Sequence, residues 1–366
     1  MTLLGLRLSE YLEGGKLRSP KNEPSFGGVC DVRKIFDLVV RHMELRDFRS
    51  FDSYDGFSSP LLSVLPSDFL KRAMTQLIKK GPFWLRPLFG IKRTRMVTTL
   101  AFALISVASE TKYSELRNKL VGDILALQKN DGGWGYEFDV LLRWGKYQSE
   151  KSNLIATTFC AFALLSAQVE GVWKIACRSY LVERFNGKWF TYANDSDPLI
   201  HNANLLAAAC LDNLGDSTGI VKDALQSSIE KQGDDGRWVY GQAKGLNWVD
   251  NFHTAYNLIA LKILEKNFPE SQTTLSLGLE FWLNNLFKNG IPLFYLGKKK
   301  VAHDVNSLAT ALFALDFLGE HTKATNFRCD NLQSVFWNQV AKFKPRGANF
   351  RWHEGPALLA LSRMVR

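Results

Sequence analysis

Six apolar, alanine-containing stretches recur along the chain, and this recurrence constrains the fold more than any other feature of the sequence. Each stretch is a run of small and apolar residues, and its characteristic alanine lies 46 to 60 residues from the next one. The six alanines are Ala103, Ala163, Ala209, Ala260, Ala314 and Ala360. A supersecondary unit that returns at such an interval is typical of a helical repeat architecture.

Amphipathic stretches with one charged face alternate with these apolar ones, and their apolar residues fall on one side at helical spacing. The predicted outer helices span 67–80, 114–129, 172–185, 218–232, 274–287 and 331–343. The pattern predicts an all-α fold, an (α/α)6 toroid of six helical hairpins over residues 67–366. Residues 1–66 are predicted to be an irregular N-terminal extension packed on it. An open solenoid is the alternative, and ring closure is favoured because no polar capping helix follows the last inner helix.

The charge balance points to an anionic partner. The chain has 46 basic and 36 acidic residues, a net charge of +10, which suits a phospholipid surface, a phosphorylated sugar or a polyuronate. No recognisable nucleic-acid-binding module accompanies the basic residues, so no nucleic acid is expected as a partner. The start of the sequence resembles no secretion signal, and no run of about 18 apolar residues occurs. We therefore expect a cytoplasmic location.

Two copies of one phrase mark the joint between an outer helix and the next inner helix. QKNDGGW spans 128–134 and QGDDGRW spans 232–238, so both fit the pattern Q-x-x-x-G-x-W. Their Asp-Gly pairs predict a tight turn in which glycine adopts a positive φ, and the tryptophan is predicted to pack beneath the return to the inner helix. We interpret the phrase as a structural staple and give its aspartates no catalytic role.

These two phrases resemble the QW motif of the terpenoid cyclase and protein prenyltransferase superfamily, and that resemblance implies an α/α toroid. The D-x-D-D motif of class II cyclases is missing, and so is the Asp-x-Cys pair with which prenyltransferases hold zinc. A second resemblance lies in FDSYDGFSSPL (51–61) and GPFWLRPLFGIKRTR (81–95). These segments are similar to bacterial toroid proteins of exopolysaccharide and capsule gene clusters, which implies surface-polysaccharide biosynthesis as the setting.

The starts of the inner helices are where the sequence predicts a functional site. In an α/α toroid these starts open onto one end of the central cavity, so polar residues there should line its mouth. Four of the six histidines fall at such starts: His201, His253, His303 and His353. Histidine exchanges protons near neutral pH and also binds metal ions, so their convergence would suit a proton-transfer site or a metal site. We assign no metal ion and no cofactor.

Further hydrogen-bonding and aromatic residues accompany these histidines. The predicted catalytic residues are Asp250, His253, Tyr256, His303 and Asp304. The predicted substrate-binding residues are Arg93, Arg95, His201, Asn202, Trp248, Asn251, Asn306, Arg351, Trp352 and His353. Helix capping is the alternative role for Asp250, Asp304 and Asn306, because Asp and Asn accept hydrogen bonds from the first N–H groups of a helix.

These residues favour a carbohydrate-active enzyme of surface-polysaccharide biosynthesis or processing, acting on an anionic or lipid-linked glycan. Asp250 and Asp304 could act as an acid/base pair on a glycosidic bond. Alternatively His253 or Tyr256 could remove the C5 proton of a uronate, as in a lyase or an epimerase. The other hypotheses are an isoprenoid enzyme without the standard motifs and a non-catalytic glycan-binding protein. The basic, aromatic stretch 79–95 predicts a peripheral contact with an anionic membrane surface.

Overall fold

A computed structural model describes residues 32–141, 145–215, 219–298, 301, 304–319, 336, 339–340 and 351–365 of the chain. The structure is all-α apart from two short antiparallel strand pairs, so the predicted fold class is confirmed. Within the described ranges no helix is both long and apolar enough to cross a membrane.

The helices are α1 (Val32–Glu44), α2 (Pro60–Ser63), α3 (Asp68–Lys80), α4 (Leu85–Leu88), α5 (Val97–Val107), α6 (Ser114–Ala126), α7 (Leu154–Ser166), α8 (Trp173–Glu183), α9 (His201–Asn213), α10 (Gly219–Ile229), α11 (Asn251–Leu264), α12 (Ser271–Asn285), α13 (Val305–Phe317) and α14 (Arg351–Met364). Single 3₁₀ turns lie at Asp55–Ser58 and Thr111–Tyr113. The strand pairs are β1 (Val140–Leu141) with β2 (Lys146–Tyr147), and β3 (Phe287–Lys288) with β4 (Ile291–Pro292).

Six inner helices form a closed ring. The helices α5, α7, α9, α11, α13 and α14 pack in sequence against one another, and α14 also packs against α5. This last contact closes the ring and excludes the open solenoid. All six characteristic alanines are at most 1% exposed, because small side chains let neighbouring helices approach closely. The predicted toroid is confirmed by this packing.

The outer helices α6, α8, α10 and α12 each follow an inner helix in the chain. The last predicted outer helix, 331–343, lies mostly outside the described residues, but Phe336 and Val340 within it are buried. Each outer helix buries one face against the ring, as its amphipathic pattern predicts. The hairpin alternation is therefore observed for the ring from α5 to α13.

The helix that covers the ring before the first inner helix is not the one that the sequence pattern predicts. The helix α1, from the predicted extension 1–66, buries Phe36, Val40 and Met43 in the main core and packs against α14. The predicted outer helix 67–80 does form, as α3, but it packs against the 3₁₀ turn Asp55–Ser58. Its place in the ring was predicted wrongly, because an amphipathic pattern does not specify which surface the helix covers.

Residues 51–92, which we call the lobe, have a small core of their own. Its buried members are Phe51, Leu62, Ile78 and Ile91. A second support is the buried Arg86, whose Nε donates to Asp55 at 2.8 Å and whose guanidinium lies over two phenylalanine rings. The lobe thus holds α3 in place beside the ring.

The glutamines of the repeated phrase tie successive outer helices together. The Nε2 group of Gln232, just after α10, donates to the carbonyls of Gly236 at 2.9 Å and Thr274 at 3.0 Å. Thr274 lies in the first turn of the next outer helix, α12. The copy at 128–134 makes the same pair of bonds, to its own glycine and to Trp173 at the start of α8. The staple that the sequence predicts is present in both copies.

The tryptophans of the phrase are buried beneath the same connection between an outer helix and the next inner helix. Trp134 is fully buried and its indole N–H donates to the carbonyl of Ile124 at 2.7 Å. Trp238 is 2% exposed and donates to Ser228 at 2.9 Å. In each case the acceptor lies in the last turns of an outer helix, whose carbonyls need partners from outside the helix.

Candidate active site

A cavity of about 1110 Å³ opens where α11 begins, between the lobe and the loops that precede α11 and α13. This volume suits a ligand of several sugar rings better than a single small molecule. It is lined by Tyr54, Phe57, Arg72, Gln76, Lys79, Leu141, Tyr240, Trp248, Asp250, His253, Tyr295 and Lys298. Of the residues predicted from the sequence, Trp248, Asp250 and His253 are brought together in this lining.

Asp250 is both the cap of α11 and a fixed carboxylate in the cavity wall. Its Oδ1 accepts the backbone N–H of His253 at 2.7 Å, and its Oδ2 accepts the Trp248 indole N–H at 2.9 Å. The same Oδ2 lies 2.6 Å from Nδ1 of His253. Burial alone would raise the pKa of Asp250, but the charge of His253 and these hydrogen bonds hold the pKa below its ordinary value. The group is therefore an anion at neutral pH.

His253 is the cavity residue best placed to transfer a proton. Because Asp250 is an acceptor, the hydrogen bond to Nδ1 favours the tautomer that carries its proton there. In the neutral imidazole the lone pair is then on Nε2, and no group in the described part of the chain hydrogen-bonds to this nitrogen. The side chain is 29% exposed, so a bound molecule can reach the ring. The pair is an Asp–His dyad with one open nitrogen, which suits general acid/base chemistry.

An aromatic wall lies beside the dyad. Tyr240 stacks on Trp248 with ring centres 4.5 Å apart and planes 11° apart, and it also lies 4.5 Å from the His253 ring. Both Trp248 and Tyr240 are partly exposed towards the cavity. Flat rings of this kind pack against the apolar faces of sugars. A smaller cavity of about 450 Å³ shares Trp248, Tyr295 and Lys298 with the larger one and extends the groove.

Three cations line the cavity, and none of them was predicted from the sequence as a site residue, although Lys79 lay in the predicted membrane segment. Arg72 and Lys79 project from α3 together with Gln76, at helical spacing on one face, and Lys298 faces them from the loop before α13. Lys79 lies 5.3 Å from the centre of the Tyr54 ring. No carboxylate among the residues that the structure describes pairs with any of the three. Among the described lining residues the one acid is Asp250, which is already engaged in the dyad, so the cavity favours an anionic ligand.

Tyr256 lies one turn behind the dyad and is packed away from the cavity. It is 6% exposed, with its ring 5.0 Å from Phe252 and 5.6 Å from Phe159. Phe159 in turn lies 4.8 Å from Phe102, so aromatic side chains fill this part of the ring's interior. Burial raises the pKa of Tyr256 above its ordinary range, and the phenol stays protonated at neutral pH. We leave it out of the proposed proton transfer.

His201, the predicted site histidine at the start of α9, faces the outer helices and is 1% exposed. Its Nδ1 lies 3.2 Å from the Ser228 hydroxyl and its Nε2 lies 3.0 Å from the Gln242 amide. Burial, with a smaller effect of Lys231, lowers the pKa of His201 to about 4. The imidazole is therefore neutral at pH 7. It packs against the outer helix α10 and does not line the cavity.

This neutral histidine predicts acid sensitivity. Between pH 6.5 and about 4 the unfolded chain binds a proton at residue 201 that the folded chain does not. The free energy of unfolding should therefore fall on acidification by up to about 1.4 kcal/mol per pH unit from this group. Urea unfolding of wild type and His201→Gln at pH 7 and pH 5 should show a steeper loss in wild type, by about 2 kcal/mol. Equal losses in the two proteins would contradict this assignment.

The two arginines predicted to bind substrate lie outside the cavity lining. Arg95 is held in a surface ion-pair network by Asp123 and by Asp47, the latter at 3.4 Å. Arg93 lies over the Phe51 ring, 5.4 Å from its centre. The structure does not bring either guanidinium to the dyad, so we leave both out of the proposed site.

The two asparagines at the starts of α9 and α11 are buried. Asn251 donates from Nδ2 to the carbonyl of Leu286 at 2.7 Å, which ties α11 to the end of α12. The Oδ1 atoms of Asn251 and Asn202 have no hydrogen-bond partner in the described part of the structure. Neither residue is part of the cavity lining, and Asn251 has a structural contact in place of the predicted ligand contact.

The predicted residues around α13 and α14 are only partly described. Asp304 caps α13 by accepting the N–H of Ser307 at 3.0 Å, while its Oδ2 and the Oδ1 of Asn306 are buried without partners among the described residues. Burial lowers the pKa of His353, against the opposing charge of Asp304. None of these residues lines the larger cavity. His303 and the side chains of Arg351 and Trp352 lie outside the described residues.

No group of three or more His, Cys, Asp or Glu side chains within the described ranges could hold a metal ion. The dyad cannot be completed into a metal site from neighbours that the structure places, because the other lining side chains are aromatic, cationic, amide or aliphatic.

Comparison with solved structures supports the fold. An unsaturated glucuronyl hydrolase specific for heparin superimposes with a TM-score of 0.56 at 12% identity, over 91% of this chain and 96% of that one. The Lin0763 protein from Listeria innocua gives a TM-score of 0.54 at 11% identity, over 92% and 97% of the two chains. No protein-family model and no curated protein matches the sequence. The toroid is thus supported over nearly its whole length, whereas the relation to terpenoid cyclases stays a prediction.

Proposed function

We propose that this protein is an enzyme that processes an acidic glycan in the cavity at the mouth of the toroid. The observation that carries the proposal is the dyad of Asp250 and His253, which opens onto a cavity with an aromatic stack and three cations that no described carboxylate pairs. Aromatic faces suit sugar rings, and cations suit uronate or sulfate groups. A glucuronyl hydrolase that shares the fold at 12% identity acts on a sugar of this acidic class, which supports the proposal.

The proposed chemistry is proton transfer at Nε2 of His253. In a lyase or epimerase this nitrogen would take the C5 proton of a uronate, whose carboxylate Lys79 or Lys298 would neutralise. In a hydrolase it would take a proton from the attacking water. A glycosidase mechanism with two carboxylates would also need Asp304, which caps α13 and is not in the cavity lining. The geometry therefore favours the histidine-centred reactions.

The biological setting that we propose is exopolysaccharide or capsule biosynthesis, with an anionic or lipid-linked glycan as substrate. The support is the resemblance of segments 51–61 and 81–95 to toroid proteins of such gene clusters. The isoprenoid hypothesis is less well supported, because aromatic side chains fill the interior near Tyr256 and the open cavity contains a carboxylate. A protein that binds glycans without converting them could have the same cavity. Detection of a reaction product distinguishes the enzyme from such a binding protein.

A ligand panel tests the proposal and does not require that the reaction be known. Acidic oligosaccharides, neutral oligosaccharides, sugar nucleotides and polyprenyl pyrophosphates are compared by the thermal midpoint of unfolding, which a bound ligand raises by mass action. We expect acidic oligosaccharides to raise the midpoint, and Arg72→Gln with Lys298→Gln to weaken their affinity about tenfold while leaving neutral ligands unaffected. Stabilisation by polyprenyl pyrophosphates alone would overturn the glycan assignment.

A further inference from the structure

Large apolar side chains are exposed together on the lobe. Seven of them lie between residues 61 and 88: Leu70 is 42% exposed, and the other six have exposed fractions of 56% to 80%. These six are Leu61, Val64, Phe69, Leu77, Trp84 and Leu88. Elsewhere in the described chain exposed large apolar side chains occur singly or in pairs, such as Val172 and Ile175. Exposed apolar side chains that cluster on a protein surface often mark an interaction site, whereas single ones are common and need no explanation.

The helix α3 shows how this exposure arises. One face, with Thr75 and Ile78, is buried against the rest of the lobe, and a second face lines the cavity through Arg72, Gln76 and Lys79. The third face carries Phe69 and Leu77, which are 77% and 62% exposed. These two residues are eight positions apart and share one side of the helix. An ordinary surface helix has mostly polar residues on such a face, so the exposure of Phe69 and Leu77 favours contact with a partner.

The charge around this apolar face is strongly positive. Residues 60–92 contain six basic residues and one acidic residue, Asp68. Arg86 is buried against Asp55, but Lys79, Lys80 and Lys92 are exposed. A helix that binds at the surface of an anionic membrane needs apolar side chains that enter the lipid interface and cationic side chains at the level of the headgroups. The lobe has both.

We propose that the lobe docks on an anionic membrane surface through the outer face of α3, with Phe69, Leu77 and Trp84 entering the interface. Tryptophan prefers this depth because its ring is apolar and its N–H is polar. The cavity face of α3 is adjacent to the docking face, so docking places the cavity mouth beside the lipid headgroups. A glycan still attached to a lipid carrier could enter the cavity from there. The docking itself does not depend on the proposed enzymatic reaction.

Flotation with lipid vesicles tests the docking. The wild-type chain should float with vesicles of phosphatidylcholine and phosphatidylglycerol, less with pure phosphatidylcholine, and less again at high salt. The pair Phe69→Ser and Leu77→Ser should lower the bound-to-free ratio by about tenfold or more. A matched control is Val172→Ser with Ile175→Ser, which removes two side chains of similar exposure (83% and 74%) at the start of α8. The control should float like wild type.

Three outcomes would overturn the proposal. The wild-type chain could stay in the aqueous fraction with both lipid mixtures, or the two variant pairs could bind vesicles equally well. Light scattering after gel filtration could instead show a wild-type dimer that the Phe69 and Leu77 variant dissociates, which would make the face a self-interface. All substituted side chains are exposed, so unchanged thermal midpoints verify that each variant is folded.

Discussion

Replacing His253 by glutamine is expected to lower kcat by about a thousandfold, with little change in affinity for an acidic oligosaccharide. Glutamine can keep a hydrogen bond to Asp250 and fill much of the same volume, but its side chain cannot take up and release a proton near neutral pH. The measurement is the initial rate on the oligosaccharide that gives the largest thermal shift, with affinity from titration. His201→Gln is the matched control, because His201 is buried away from the cavity.

Asp250→Asn should lower kcat by about a hundredfold or more through His253. The amide can still accept the capping N–H, but it no longer supplies the negative charge that stabilises a protonated imidazole 2.6 Å away. The role is one of positioning and electrostatics, so the pH profile of kcat should differ from that of wild type. A profile identical to wild type, or an active His253→Gln enzyme, would contradict the assigned roles.

Gly236→Ala is expected to destabilise the fold strongly, although it adds only one methyl group. Gly236 has φ +87°, and a Cβ built there would lie 2.3 Å from the carbonyl oxygen of Leu277 in α12. The new methyl group would force apart the two outer helices that Gln232 ties together. We expect a cost of about 4 kcal/mol or more, or failure to fold.

The control for this prediction separates steric contact from backbone strain. Gly215 also has φ +87°, but a Cβ there would meet nothing within 4 Å. Gly215→Ala should therefore cost only the left-handed backbone penalty of about 1 to 2 kcal/mol. Urea unfolding of the two variants measures the difference. Equal costs would show that the close approach of helix α12 does not constrain position 236.

Much of the ring could be predicted from the sequence because it rests on local patterns. The inner helices are apolar nearly all round, and their alanines mark the closest helix contacts. The phrase Q-x-x-x-G-x-W specifies a joint whose glycine, glutamine and tryptophan each have one geometric task. Each of these features is formed by residues close together in the chain, so pattern and spacing were enough to predict it.

The site was harder to predict because a helix start does not specify which way a side chain points. His201 is the first residue of α9, whereas His253 is the third residue of α11. Two residues correspond to more than half a turn, so the two imidazoles face opposite sides of their helices. The true counterpart of His201 is Asn251, and both contact an outer helix or its end. A window of several residues spans the whole turn and cannot separate the two cases.

The cavity cations were missed for a related reason. Arg72 and Lys79 lie on α3, which the sequence pattern placed in the ring as an outer helix with a solvated charged face. Their side chains share that helix with an apolar face on either side, one buried and one exposed. Only the long-range packing of the lobe beside α11 turns these charges towards the cavity.

The most direct test of the central claim is a crystal structure of the His253→Gln variant with an acidic oligosaccharide bound. We expect a sugar ring packed on Trp248, its acidic group within reach of Arg72, Lys79 or Lys298, and the reacting centre within hydrogen-bond distance of residue 253. An oligosaccharide bound elsewhere on the toroid, or bound in the cavity with its acidic groups turned away from these cations, would contradict the proposed function.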